Sequence, residues 1–274
     1  MPESEYGENY RKNMENIKYK LIVTSGKGGV GKSTIAVNLG YSLAMRGFAT
    51  GLLDADIHGP TIPKLLGIEN ETLTTIENRL IPVEVNKNLH VVSVGFLIES
   101  PDNPIIWRGP LKMQLLSQFI SLVNWGKLDY LIIDLPPGTG DEPLSIAQLI
   151  PDANGVVIVT TPQEVALVSV RKNINFARAL NLPVIGIIEN MSGFICPHCK
   201  KPVEIFKSGG ADKASRDFKV PLLGKIMLDV NIVEHSERGK PFVANRNYEA
   251  SKNFEKIVDK IIKQVTNKID NCKL

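Results

Sequence analysis

The sequence predicts an α/β fold: a doubly wound, mostly parallel sheet flanked by helices. Three observations point there. Short runs of β-branched and aliphatic residues are apolar along their whole length instead of alternating, the pattern of strands buried on both faces. Longer stretches with apolar residues at helical spacing separate them, and strand, helix, strand repetition with right-handed crossovers builds a parallel sheet. The first strand-to-helix junction carries a glycine-rich loop, Gly26-Lys27-Gly28-Gly29-Val30-Gly31-Lys32-Ser33-Thr34, of the kind that cradles phosphate.

Taken in order, residues 1–18 are polar and mixed in charge, with no clear period, and are expected to form an N-terminal arm. Strands are expected at Lys20–Ser25, Thr50–Asp54, Leu89–Val94, Tyr130–Asp134, Gly155–Thr160, Pro183–Glu189 and Val220–Lys225. Helices are expected at Lys32–Arg46, Leu111–Asn124, Pro143–Leu149, Glu164–Leu180 and Gly209–Phe218, then a long one over residues 248–271. Ile68–Asn88, rich in Glu, Thr and Asn, reads as a surface excursion with room for a small hairpin. No linker, repeat or low-complexity block interrupts the alternation, so residues 19–274 are expected to form a single domain.

Bulk properties narrow the function classes. The 274 residues are 43% hydrophobic, ample for a core, and the net charge of +3 comes from 32 basic against 29 acidic side chains. So even a mixture does not suggest nucleic acid or an anionic membrane as the main partner. Three cysteines, unevenly placed, make no secreted disulfide framework, and Met1 opens a polar segment without an apolar signal region. No apolar run approaches the roughly 18 to 20 residues of a membrane span. The expectation is a cytoplasmic protein.

The loop satisfies G-x-x-x-x-G-K-[ST] through Gly26, Gly31, Lys32 and Ser33. Its glycines let backbone N–H groups curl around a β-phosphate at a helix N-terminus, Lys32 neutralises the β- and γ-oxygens, and the Ser33 hydroxyl can ligate Mg²⁺. Two acids complete the site. Asp56 follows the strand ending at Asp54, on the loop beyond the sheet's carboxyl edge, where it can orient an attacking water. Asp134 ends the strand that precedes Pro136-Pro137-Gly138, a position suited to holding Mg²⁺ through water while Gly138 lets the next loop move. Acids at strand ends often serve only as turn formers or caps. Two of them downstream of a phosphate loop favour the catalytic reading.

The loop's form, KGGVGKST, resembles that of the SIMIBI group of P-loop ATPases, which includes MinD, ParA, ArsA and the nitrogenase iron protein. That resemblance implies that Lys27 crosses a homodimer interface to the phosphates bound by the other subunit. The match then narrows. DADIHGPTIPKLLG (Asp54–Gly67), IIDLPPGTGDEPL (Ile132–Leu144), TTPQEVALVSVRK (Thr160–Lys172), ENMSGFICPHC (Glu189–Cys199) and VPLLGKIMLD (Val220–Asp229) look like successive signatures of the Mrp/ApbC family. The family's members are iron–sulfur cluster carriers with ATPase activity, acting on apoproteins. The resemblance spans about Lys20 to Asn247. It implies adenine contacts from Asn190 and Pro221, and nucleotide-side loop positions for Pro162 and Glu164. Met227 in place of a common proline, Ser169 in place of an acid and Lys200 in place of glycine are departures that remove no phosphate or metal ligand. The N-terminal segment lacks the accessory domain of many bacterial relatives and the extra cysteines of eukaryotic ones, as expected of a compact archaeal or bacterial form.

The remaining question is Cys196-Pro197-His198-Cys199, within the loop spanning 190–206. Two thiolates can bind one metal, but a tetrahedral sulfur site or a cubane cluster takes four. A two-fold dimer brings Cys196 and Cys199 of both copies to the axis. A redox dithiol needs its first cysteine at a helix N-terminus, and Lys200-Lys201-Pro202-Val203 is a poor helix start. Zinc and a cluster both remain open on the residues alone. The resemblance favours a bridging [4Fe–4S] cluster, with zinc as the alternative. His198 could add a ligand, although a lone loop histidine is usually solvated.

In the last segment Phe254, Ile257, Val258, Ile261, Ile262, Val265 and Ile269 recur at helical spacing opposite five lysines. A membrane-targeting helix of MinD type would make this a positioning ATPase. The expectation is instead an amphipathic helix packed on the sheet, since the stripe has no tryptophan anchor. Cys272 in its last turn is expected to be incidental.

Overall fold

The computed structural model describes residues 13–57, 59–97, 116–117, 119–150, 152–196, 198–206 and 209–272. In chain order its elements are β1 (Ile17–Ser25), α1 (Lys32–Met45), β2 (Thr50–Asp54), α2 (Ile62–Leu66), β3 (Thr74–Ile76), β4 (Arg79–Ile81), β5 (Val83–Asn86) and β6 (Leu89–Ser93). There follow β7 (Leu128–Asp134), α3 (Asp141–Leu149), β8 (Gly155–Thr160), α4 (Glu164–Ala179), β9 (Val184–Glu189), β10 (Phe194–Ile195) and β11 (Pro202–Val203). The chain ends with α5 (Gly210–Phe218), β12 (Leu222–Lys225), α6 (Val230–Glu237) and α7 (Glu249–Cys272). Of the helix expected over Leu111–Asn124, residues 111–115 and 118 lie outside the described residues, and 116–117 and 119–122 are helical.

Eight strands form the main sheet in the order β12-β9-β8-β1-β7-β2-β6-β5. Every pairing is parallel except that of the edge strand β5 with β6. All seven expected strands are in it. The edge strand β5 was hidden in the expected excursion, because Val83-Glu84-Val85-Asn86 alternates like a half-solvated strand. That excursion also holds the hairpin β3–β4, turned by Glu77 and Asn78 in left-handed backbone.

The side-chain period of two splits the sheet into two cores. On one face Leu21, Val23, Leu52 and Ile132 pack with Ile35, Leu39 and Leu43 of α1 and Phe254, Val258 and Ile261 of α7. On the other, Ile22, Leu53, Ile133 and Ile158 pack with Ile146 of α3, Val170 and Ile174 of α4 and Ala214 of α5. The apolar stripe of α7 is therefore inside, and its polar face is tied to α1: Ser42 Oγ donates to Glu255 at 2.5 Å, and Arg46 pairs with Glu255 and, at 2.7 Å, with Asp259. No helix among the described residues is long and apolar enough to cross a membrane.

The boundary expected at residue 18 is corrected. β1 starts at Ile17, which is buried and pairs with Leu128, and Met14 is buried against the same core. Asn13 donates to Val123 O at 2.7 Å. A polar composition concealed these contacts because the burying residues, Met14 and Ile17, are isolated in the sequence.

Candidate functional site

All parallel strands point their carboxyl ends to one edge, and the phosphate loop crosses that edge between β1 and α1. The loop is fastened from below. Ser25 Oγ donates to Lys27 O at 2.9 Å, and Gly138 N–H donates to Ser25 O at 2.7 Å, joining the loop after β7 to the phosphate loop. Gly26 has no room for a side chain, since a Cβ there would lie 2.2 Å from Cβ of Ser169 on α4. Beside it the buried Asn173 accepts from Thr24 Oγ at 3.1 Å and donates to Ser169 O at 2.9 Å. Gly31 caps α1 in left-handed backbone, φ 83°.

A cleft of about 340 Å³ opens above, lined by Lys27, Gly28, Gly29, Gly31, Lys32, Ser33 and Thr34 of the loop, Asp56 of the loop after β2, and Pro137. Gly59, Thr61 and Leu65, at the start of α2 and just before it, close the side. Sequence reasoning missed this wall; its only signal was that it follows Asp56. Val30 is buried beneath.

The two strand-end acids meet at the floor. β2 and β7 pair in register, so Asp54 lies beside Asp134, and both are buried. Lys32 Nζ lies 2.7 Å from Asp134 Oδ1 and 3.3 Å from Ser33 Oγ. Among the described residues neither Asp134 oxygen otherwise has a hydrogen-bond partner of good geometry, although the Ser33 side chain also pulls on the carboxylate. Burial raises the Asp134 carboxyl above the usual range against the pull of Lys32. Asp54 accepts from Ser93 Oγ at 2.9 Å and from the backbone N–H of Asp56 and Ile62, each at 3.3 Å. Burial, then the charge of Asp134, pushes its pKa up to about 7. The sequence marks Asp54 only as a strand end; its pairing with Asp134 comes from the register of β2 with β7.

The cysteines lie on the β10–β11 hairpin. Cys196 N–H donates to Lys201 O at 3.0 Å and Lys200 N–H to Cys196 O at 2.9 Å, with Lys200 left-handed at φ 59°. Cys196 is half-buried and Cys199 exposed. Backbone N–H groups of Cys199 and His198 hold the Cys196 thiol below its ordinary pKa. His198 is exposed. Among the described residues no three His, Cys, Asp or Glu side chains converge to hold a metal.

Of the two expected adenine contacts, one stands on the nucleotide edge and the other does not. Asn190 is buried at the end of β9, where its Nδ2 donates to Val30 O at 2.9 Å. Pro221 precedes β12 at its amino end, and its carbonyl accepts from Ile187 N–H within the sheet. Parallel strands put that end away from the edge crossed by the phosphate loop, which corrects the expectation for Pro221. The residue that leaves β12 on the nucleotide side is Ile226, with Met227 following it. Pro162 is buried, and its carbonyl backs onto Gly210 of α5.

The comparisons with known proteins agree with this geometry. The family described as "ParA: NUBPL iron-transfer P-loop NTPase" matches residues 16–262. A Methanocaldococcus jannaschii protein named "Iron-sulfur cluster carrier protein" is 50% identical over 258 residues, 94% of this chain and 89% of its own. A solved nucleotide-binding protein from Archaeoglobus fulgidus, in complex with ADP and with cobalt found in it, is 36% identical with a TM-score of 0.77, covering 90% of this chain and 96% of its own. The cell-division protein MinD of Aquifex aeolicus shares the fold at a TM-score of 0.65 and 20% identity, over 89% of this chain and 97% of its own. A phosphate loop, a pair of strand-end acids and a two-cysteine hairpin on one sheet edge, with a family match over most of the chain, place this protein in the NUBPL/ParA family of iron-transfer P-loop NTPases.

Proposed function

We propose that the protein binds and hydrolyses ATP in this cleft and, as a homodimer, carries a [4Fe–4S] cluster on Cys196 and Cys199 of two copies for delivery to apoproteins. One observation carries the reading. A preformed phosphate site and an exposed, incomplete two-thiol set occur in one chain, and its relative at 50% identity is named for carrying iron–sulfur clusters. Two thiolates need two more to complete a cubane, and a second copy supplies them with two-fold symmetry. The reaction stays in the cytoplasm on this reading.

Residues of the cleft divide the hydrolytic work. The loop N–H groups and Lys32 hold the β- and γ-phosphates, and Lys27 reaches the phosphates of the partner copy. Asp56 orients the water that attacks the γ-phosphorus as the bond to the ADP oxygen breaks. The all-oxygen set of Ser33 Oγ and the buried, under-bonded Asp134 suits Mg²⁺, which would neutralise charge on the transferred phosphoryl group. Turnover is slow and coupled to cluster binding or transfer.

A zinc-bridged dimer is the second reading. The cobalt reported in the Archaeoglobus protein favours it, because tetrahedral thiolate sites take single cobalt or zinc ions readily. Anaerobic reconstitution with iron and sulfide separates the readings. A brown, Cys196-dependent chromophore on a species of twice the chain mass supports the carrier, and a colourless dimer holding zinc supports the other.

A further inference from the structure

The segment that leaves β9 touches both halves of this machinery. Asn190, 8% exposed, is held by its backbone N–H to Thr160 O at 2.7 Å, and it reaches the phosphate loop through Nδ2 to Val30 O at 2.9 Å. The approach is close: a Cβ on Gly31 would lie 2.3 Å from that Nδ2. Two residues further, Ser192 donates its backbone N–H to Ile226 O at 2.8 Å and its hydroxyl to Glu189 Oε1 at 2.5 Å. Glu189 is fully buried, and its Oε2 accepts the Ala211 N–H in the first turn of α5 at 2.8 Å. Lys225 Nζ lies 3.7 Å from Oε1 and 2.6 Å from Asp212 Oδ2. Gly193 O then accepts from Leu228 N–H at 2.9 Å, and the cysteine hairpin begins at Phe194. From Asn190 to Phe194 nearly every residue is hydrogen-bonded, and Asn190 ties the segment to Val30.

The peptide unit at the head of this path is the informative one. Val30 C=O and Gly31 N–H belong to the same planar group, so the two point in opposite directions. A phosphate oxygen that accepts from Gly31 N–H polarises the unit and makes Val30 C=O a better acceptor for Asn190. Phosphate occupancy therefore tightens the anchor of the segment that carries the thiols.

We propose that Asn190 is a positioning residue that couples the phosphate loop to the cysteine hairpin, with Ser192 and Glu189 as the next step of the path. The inference rests on the reading that the loop binds nucleotide and the thiols bind metal. Bound nucleotide holds Asn190, Asn190 and Ser192 hold the base of the hairpin, and a pre-ordered hairpin binds metal more tightly. By linkage, metal on the thiols raises nucleotide affinity by the same factor, about fivefold or more for a coupling of ordinary size.

Titration of the full-length protein with Co²⁺, followed by the thiolate-to-cobalt charge-transfer band with and without Mg²⁺–ADP, measures this directly. In the unsubstituted protein ADP should tighten Co²⁺ binding about fivefold. Asn190→Asp, which keeps the shape and loses the donor, and Ser192→Ala, which leaves the phosphate-loop contact and cuts the step to Glu189, should each bind Co²⁺ with no dependence on ADP. Retention of the ADP effect in either variant overturns the inference. So does an Asn190→Asp protein that loses its preference for ADP over GDP while the coupling survives, since Asn190 would then be a base contact. A band whose affinity ignores ADP in the unsubstituted protein refutes the coupling alone. Absence of any thiolate–cobalt band refutes the metal reading beneath it.

Discussion

The phosphate cleft and the cysteine hairpin stand on the same edge of one sheet, yet they are built in opposite ways. The floor of the cleft is braced within the chain: Lys32, Asp54 and Asp134 are buried, and the loop is fastened by Ser25, Gly138 and α4. The hairpin has two-residue strands, an exposed Cys199, and Ile195 and Val203 both 43% exposed. The difference teaches which chemistry needs a braced site and which an open one. Phosphoryl transfer depends on charges fixed before the substrate arrives, so its groups are buried and braced. A metal cargo that is to be handed on must stay accessible and incompletely ligated by any one chain.

Substitutions can break the comparison at either end. The largest effect expected is at the hairpin, where Cys196→Ala should abolish bound iron after anaerobic reconstitution, read by iron analysis, and leave the ATP affinity of the metal-free protein unchanged. Next comes Lys32→Ala, expected to reduce ATP turnover by more than about 100-fold by removing the charge that meets the γ-phosphoryl oxygens. Phosphate release measures it. Asp56→Ala should retain nucleotide binding by calorimetry and lower turnover by about 100-fold, because the attacking water loses its partner.

The smallest effect concerns Asp54 and shows as a pH dependence. Its folded pKa of about 7 lies above the ordinary 3.8, so the folded state binds this proton more tightly than the unfolded chain. The stabilisation is full below about pH 4 and is lost as pH rises through about 7. Nucleotide-free protein should thus lose stability across that window. Asp54→Asn should flatten the slope in chemical denaturation at pH 5 and pH 8. A hairpin substitution such as Cys199→Ala should leave the slope as it is, which separates the braced region from the open one.

Much of the braced region is legible in the sequence, and for a physical reason. Strands buried on both faces are continuous apolar runs, and the loop Gly26–Thr34 is constrained residue by residue by the backbone turns it makes. Thus Lys32, Ser33, Asp56 and Asp134 could be named before the fold was seen, and the structure brings them to one floor and rim. Contacts between elements distant in sequence were not legible. Nothing local reveals that Asn190 meets Val30, because register decides it, whereas the place of Pro221 near the amino end of its expected strand already set it away from the carboxyl edge. Asn13 was hidden likewise, its partner Val123 lying 110 residues along the chain. Short amphipathic pieces such as β5 and α6 carry too few residues for a clear period.

The central claim is that one chain holds a braced phosphate site and half of a cluster site. It is tested most directly by iron, acid-labile sulfide and zinc analysis of the anaerobically reconstituted protein, together with its mass in solution. The account predicts about four iron and four sulfide per two chains, and none in Cys196→Ala. A stoichiometric cluster on a monomer, or a dimer that holds zinc and refuses iron, would contradict it.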